Sequence, residues 1–240
     1  MCVKRDEKAA LQLQAVSILR RLKATRTYDE LAEETGLSAG DLNRYVNGHV
    51  LPGVERARRI VGDVGPAALA GEIEARIDRD DDGYVDNTAV VFDQSLLDLV
   101  AGVAVESQDL TAPDAVLTAA TDGITFASAM ARQFDVPAVY AKKSRETAVP
   151  EFVEARQRVT PGIEITYSLP ADALEPGDDV IVVDDFVRSG NTQQLLLELA
   201  KKAGVTITVV FTLIAVGDDG VESVRNRVDA PVVTFTSLPE

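Results

Sequence analysis

Leu11, Ala15, Ile18, Leu19 and Leu22 recur at helical spacing, so the chain opens with an amphipathic helix. Thr27 followed by Glu30 predicts a capping box in front of Leu31 and Ala32, and Ser38 with Asp41 predicts a second helix start before Leu42 and Tyr45. Residues 66–77 read as a further short helix. From Asp93 the pattern changes. A helix through Leu96, Leu97, Val100 and Val103 precedes a strand at Ala115–Ala119, a helix at 125–134 and a strand at Ala138–Ala141. A buried strand at 180–183, a helix at 192–203, a strand at 206–215 and a closing strand at 231–235 follow. Strands alternating with helices indicate a parallel α/β sheet behind an all-α head. The expected division is a head at 1–62, a helical and acidic linker at 63–92 and an α/β domain at 93–240.

The most informative stretch is Val180-Ile-Val-Val-Asp-Asp-Phe-Val-Arg-Ser-Gly-Asn-Thr192. Four β-branched apolar residues suit a strand covered on both faces, and ligands gather where such strands end. Asp184 and Asp185 stand there, Arg188 offers a cation, and Ser189, Gly190, Asn191 and Thr192 supply hydroxyls and backbone N–H groups at a helix start that favours an anion. A phosphorylated sugar is the ligand that such a pattern fits.

In the head, Ala32, Gly36 four residues on, Leu37 and Leu42 have the spacing of a helix-turn-helix: a small residue at the crossing, a glycine turn and apolar plugs. On that template Ser38, Ala39, Gly40, Asn43, Arg44 and Asn47 face DNA, with Asn43 suited to adenine edges and Arg44 to guanine edges or phosphate. A three-helix dimerisation module would share the patterning. His49, the one histidine, is expected in an exposed loop.

Composition sharpens this picture. The net charge is −15, yet residues 1–62 hold 11 Lys+Arg against 8 Asp+Glu, so the basic part lies in front. So acidic a surface points to adaptation to high salt and to a halophilic archaeon, where base contacts and dimerisation must carry more of any DNA affinity. A cytoplasmic protein is expected: the start, Met1 to Lys8, is too charged for a signal peptide, and no apolar run approaches the roughly 20 residues of a membrane span. The single cysteine, Cys2, excludes an internal disulfide. The run from Asp78 to Asp86 imitates a calcium loop at Asp78, Asp80, Asp82, Gly83 and Val85. Its twelfth position is Ala89 where a bidentate glutamate is required, so a solvated linker is expected.

The order acid, acid, apolar, apolar, then a hydroxyl and glycine turn resembles the signature of type I phosphoribosyltransferases, which bind phosphoribosyl pyrophosphate (PRPP). The resemblance implies that the carboxylates hold ribose hydroxyls and the turn holds the 5′-phosphate. It extends over 93–240 and is nearest to orotate-type members: Ala120, Thr121, Asp122 and Gly123 match the pyrophosphate loop, Lys142 and Lys143 the basic residues near the diphosphate, and 144–179 the hood over the substrate. Magnesium accompanies PRPP in that family. The departures are a hood without lysine or histidine, Phe186 and Arg188 where the signature more usually has small or apolar residues, and Asn191 where glycine is common. They lead to the expectation of a body that senses a ligand without catalysis. Head and body together resemble bacterial purine repressors and, more closely, archaeal phosphoribosyltransferase-like regulators of glucose and fructose catabolism. That resemblance implies a homodimer on a palindromic operator, controlled by PRPP or another phosphorylated sugar. The alternatives are an active orotate or purine phosphoribosyltransferase with an appended DNA-binding domain, and a dimerisation scaffold.

Overall fold

Buried apolar stripes divide the chain into two kinds of layer, one of helices alone and one of helices on a sheet. A computed structural model describes residues 5–81, 84–160 and 163–240. Cys2, and Asp82 and Gly83 of the acidic run, lie outside the described residues. In chain order the elements are α1 (Arg5–Lys23), α2 (Tyr28–Thr35), α3 (Ala39–Val46), α4 (Val54–Arg59), a π-helical stretch (Ile60–Val64), α5 (Gly65–Glu74), β1 (Asp78–Arg79), β2 (Val85–Asp86), α6 (Thr88–Val91) and α7 (Gln94–Ser107). They continue as β3 (Ala115–Ala119), α8 (Gly123–Phe134), β4 (Ala138–Ala141), β5 (Phe152–Thr160), β6 (Ile163–Pro170), β7 (Asp179–Val187), α9 (Asn191–Ala203), β8 (Thr206–Val216), α10 (Asp219–Arg225) and β9 (Val232–Leu238).

One unit comprises the residues up to Arg76 together with Ser95–Thr111; the other comprises Ile77–Gln94 and Ala112–Glu240. The helix from 94 onward, expected with the α/β domain, therefore packs with the helical unit. The reason is steric as well as apolar. A side chain at Gly102 of α7 would come within 2.3 Å of Gln14, and one at Gly65 within 2.7 Å of Val103, so glycines permit close helix crossings. Ile18, Leu19, Leu31, Leu42, Leu96, Leu97 and Val100 are all fully buried. The expected caps form: Thr27 and Glu30 close a capping box on α2, Gly36 ends it with φ of 67°, and the Ser38 hydroxyl accepts from Asp41 N.

The other unit is built on a five-stranded parallel sheet of order β4-β3-β7-β8-β9. β3 is buried along its whole length and β7 nearly so, as central strands covered on both faces must be. Val180 and Val182 share a core cluster with Leu195, Leu196 and Leu199 of α9, and Phe126 of α8 meets Phe211 of β8 at 5.9 Å between ring centroids. β5 and β6 form a separate antiparallel hairpin within 144–179 that the apolar pattern did not announce. The residues expected as an acidic linker do more than connect: β1 and β2 pair as a short antiparallel hairpin. No helix of the described residues is long and apolar enough to cross a membrane.

The turn after β7 lies tight against α10, because a side chain at Gly220 would stand 2.4 Å from the Arg188 carbonyl oxygen. Gly220→Ala must therefore displace backbone. Overpacking of this kind costs about 1 to 3 kcal/mol and lowers the unfolding temperature by about 2 to 4 °C per kcal/mol. Calorimetric unfolding checks this; an unchanged transition would contradict the close contact.

Candidate active site

β7 pairs with β3 only as far as Val182 opposite Leu117, while on its other side it stays on β8 through Val187 opposite Ala215. The connection after β3 runs to β4 on one side and that after β7 runs to β8 on the other. A crevice opens at such a reversal of strand order, outside the carboxyl ends of the strands. Asp184 and Asp185 stand on β7 where β3 has already departed, and they line a cleft of about 680 Å³.

Both carboxylates are buried, with 6% and 8% of their surface exposed. Gln193 of α9 donates to Asp184 Oδ2 at 2.6 Å and to the Phe186 carbonyl at 3.0 Å, and the Asp185 N–H donates to Asp184 Oδ1 at 3.1 Å. Asn87, between β2 and α6, donates to Asp185 Oδ2 at 2.7 Å. Burial raises the Asp184 pKa well above the carboxylate range, and the neighbouring Asp185 charge adds to the rise. Burial also raises Asp185, against the hydrogen bond from Asn87, which favours its charged form. Gly123 is obligatory here: a Cβ would fall 2.4 Å from the buried Thr118 hydroxyl oxygen and 2.9 Å from Asp184 Oδ1. Tyr167 of β6 also lines the cleft; burial and then the Asp184 charge raise its phenol pKa, against a hydrogen bond to Thr192.

Of the residues singled out from sequence, Ala120, Thr121, Asp122, Gly123, Lys142, Lys143, Asp184, Asp185 and Thr192 line this one cleft. Arg188, Ser189, Gly190 and Asn191 are not among its lining. Arg188 is exposed with its guanidinium 5.9 Å from the Tyr84 ring centroid, and Ser189 is exposed. Gly190 has φ of 74° and faces Gly220, while Asn191 Oδ1 accepts from Gln157 of the β5–β6 hairpin at 2.8 Å. Lys142 pairs with Glu146, and Lys143 stands 5.7 Å over the Tyr167 ring.

Val85, Asn87, Tyr167 and Gln193 were missed by sequence reasoning. Gln193 alone left a signal, as a polar residue inside the apolar face of α9. Asn87 and Tyr167 reach the site only through long-range folding. In the helical unit, Ser38, Gly40, Asn43, Arg44 and Asn47 are exposed on or beside α3, and Ala39 is half-buried. Asn47 Nδ2 donates to the Asn43 carbonyl at 2.9 Å and to Asn43 Oδ1 at 3.2 Å. His49 is exposed.

A family model described as the phosphoribosyl transferase domain matches residues 89–235. The chain is similar to xanthine phosphoribosyltransferase of Streptococcus pneumoniae, with 26% identity over 148 residues, covering 61% of this chain and 77% of the relative. Among solved structures it resembles adenine phosphoribosyltransferase from Thermoanaerobacter pseudethanolicus, with a TM-score of 0.61 and 18% identity, covering 70% of this chain and 99% of that one. The enzyme of the same name from Rhodothermus marinus also has a TM-score of 0.61, with 23% identity and coverage of 72% and 99%.

The expectation of a body without catalysis is contradicted by the sequence relative, which is named as an enzyme. The relatives carry purine names, where the sequence leaned toward orotate-type members. The hood's composition misled for a physical reason. Its Arg145 and Arg156 are held by Glu154 at 2.5 and 3.2 Å, so they brace the hairpin, whereas the cleft takes its lysines from the end of β4. Arg145, with Ser168 and Arg156, brings the Glu154 pKa down to about 2.

The two shifts have opposite signs. Glu154 contributes stability above its unfolded value of 4.5, and that contribution is lost as pH falls toward 2. Asp184, raised from 3.8, does the reverse: the folded state is favoured while it stays protonated and loses stability as pH rises through its folded pKa. Asp184→Asn is therefore expected to raise the unfolding temperature at neutral pH and to flatten its decline above pH 4. A lower unfolding temperature across the whole range would contradict the burial penalty.

Proposed function

We propose that this chain, which belongs to the phosphoribosyl transferase domain family through residues 89–235, transfers the phosphoribosyl group of PRPP to a purine-type base with release of pyrophosphate. The single observation that carries this reading is the buried Asp184–Asp185 pair, which faces the 120–123 loop and Thr192 across one cleft with Lys142 and Lys143 at its side. Carboxylates suit ribose hydroxyls, the start of α9 suits the 5′-phosphate, and the lysines suit a diphosphate leaving group. Purine rather than orotate is favoured because the relatives reported above are named for xanthine and adenine.

Magnesium fits this site as a companion of the substrate. Among the described residues no group of three or more His, Cys, Asp or Glu is arranged to hold a metal, whereas magnesium binds readily through one or two carboxylates together with substrate phosphates. Asp184 and Asp185 would supply those carboxylates. The ion, when bound, neutralises charge on the diphosphate.

A second activity is favoured by the geometry of α2 and α3. The αL turn at Gly36, the Ser38 cap and the exposure of Asn43, Arg44 and Asn47 suit a helix-turn-helix whose second helix enters the major groove of promoter DNA. As a homodimer the protein would present two such helices to a palindromic operator, and PRPP or a related phosphosugar would be both ligand and control signal. The resemblance to archaeal regulators of sugar catabolism supports this assignment, as does the basic front of an otherwise acidic chain. PRPP and promoter DNA meet in the cytoplasm.

Incubation with PRPP, magnesium and xanthine, adenine, hypoxanthine, guanine or orotate should yield pyrophosphate and a nucleotide with at least one purine. Asp185→Asn should reduce turnover by about a hundredfold or more, as expected when a group that stabilises the transition state is lost. No turnover with any base would defeat the enzymatic reading. Arg44→Ala should weaken binding to the operator relative to random DNA by about 1 to 3 kcal/mol. An unchanged footprint would exclude α3 as the reading helix.

A further inference from the structure

Asn87 lies outside the family match, which begins at residue 89, yet its carboxamide is within hydrogen-bond distance of one of the two cleft aspartates. It is held there from both sides. Ahead of it, Arg79 of β1 donates to the Pro239 carbonyl, Asp80 N donates to the Tyr84 carbonyl at 3.0 Å, and Tyr84 N donates to Asp80 Oδ1 at 2.8 Å. Behind it, Thr88 N donates to Asp86 Oδ1 at 2.8 Å. The Asn87 carbonyl accepts from Val90 and Val91, whose side chains are buried. The backbone on which Asn87 sits is thus fixed independently of the cleft. Of the preceding residues, Tyr84 places its ring beside Arg188 and Val85 lines the cleft.

Given the PRPP site proposed above, on which this rests, we propose that residues 84–87 form an added wall of the substrate site and that Asn87 is a positioning residue, which orients Asp185 toward the ribose hydroxyls. An amide donor on Oδ2 fixes the rotation of the carboxylate and turns its other oxygen to another direction. That donor is the Asn87 carboxamide. Gln193 does the same for Asp184 from α9, so each carboxylate has its own carboxamide. The Gln193 partner comes from within the family match, and the Asn87 partner from the chain ahead of it.

The test is PRPP binding by calorimetry, with magnesium present, for the wild type, Asn87→Ala and Asn87→Ser, together with steady-state kinetics. A hydrogen bond to a charged group corresponds to about tenfold to a hundredfold in affinity. Asn87→Ala should weaken PRPP binding by that factor. It should raise KM for PRPP more than it lowers kcat. Asn87→Ser, which keeps a donor on a shorter side chain, should recover part of the loss. A structural defect would lower the unfolding temperature and leave Asn87→Ser no better than Asn87→Ala. That result, or unchanged PRPP affinity in Asn87→Ala, would overturn the assignment. A wild type that binds no PRPP would remove the site itself, a different outcome from a wild type that binds and a variant that binds equally.

Discussion

Two adjacent carboxylates taken out of water on one strand are the constraint around which the sheet unit is organised. Neighbouring like charges in a desolvated place destabilise the fold unless protons or donors answer them. Here the answer comes from amides: a main-chain N–H of the same strand, a glutamine on the following helix and an asparagine ahead of the matched domain. The strand order supplies the location, because only where β3 and β7 diverge can side chains of a central strand reach a crevice. Gly123 keeps that crevice open beside Asp184. Such a place suits a ligand that brings hydroxyls and a cation, which is the chemical description of magnesium-bound PRPP.

The chain distributes its residues between the units in an interleaved way. It contributes Ile77–Gln94 to the sheet unit between two stretches that belong to the helical unit. A segment that reads as a solvated connector therefore carries a cleft residue, Asn87, and a ring beside Arg188, Tyr84. Its acidic composition describes its solvent side only. The hood shows the same thing from the opposite direction. Arg145 and Arg156, cations of that stretch, are engaged by Glu154 in bracing a hairpin.

Much of the sheet unit was legible because its signals are local. Apolar runs gave β3, β7 and β8 and their helices, and alternation of strand with helix gave a parallel sheet. The signature run placed Asp184, Asp185 and Thr192 in the cleft, and Gly123 with its three predecessors joined them. What local patterns cannot convey is pairing over distance. The β5–β6 hairpin lacks clean alternation, and Tyr167 enters the cleft from it. Asn87 meets Asp185 across 98 residues of sequence. Arg188 and Asn191 fit the motif by order, yet the left-handed turn at Gly190, packed on Gly220, directs them to Tyr84 and to Gln157. The expectation of a silent body failed for a related reason: it weighed the charges of a hood without knowing what those charges touch.

In the function proposed above, the twin aspartates form the ribose-binding floor of a PRPP site. A crystal structure with magnesium and PRPP tests it most directly. Ribose hydroxyls are expected within hydrogen-bond distance of Asp184 and Asp185, the 5′-phosphate at the start of α9 and the diphosphate toward Lys142 and Lys143. PRPP bound elsewhere, with both carboxylates untouched, would contradict it.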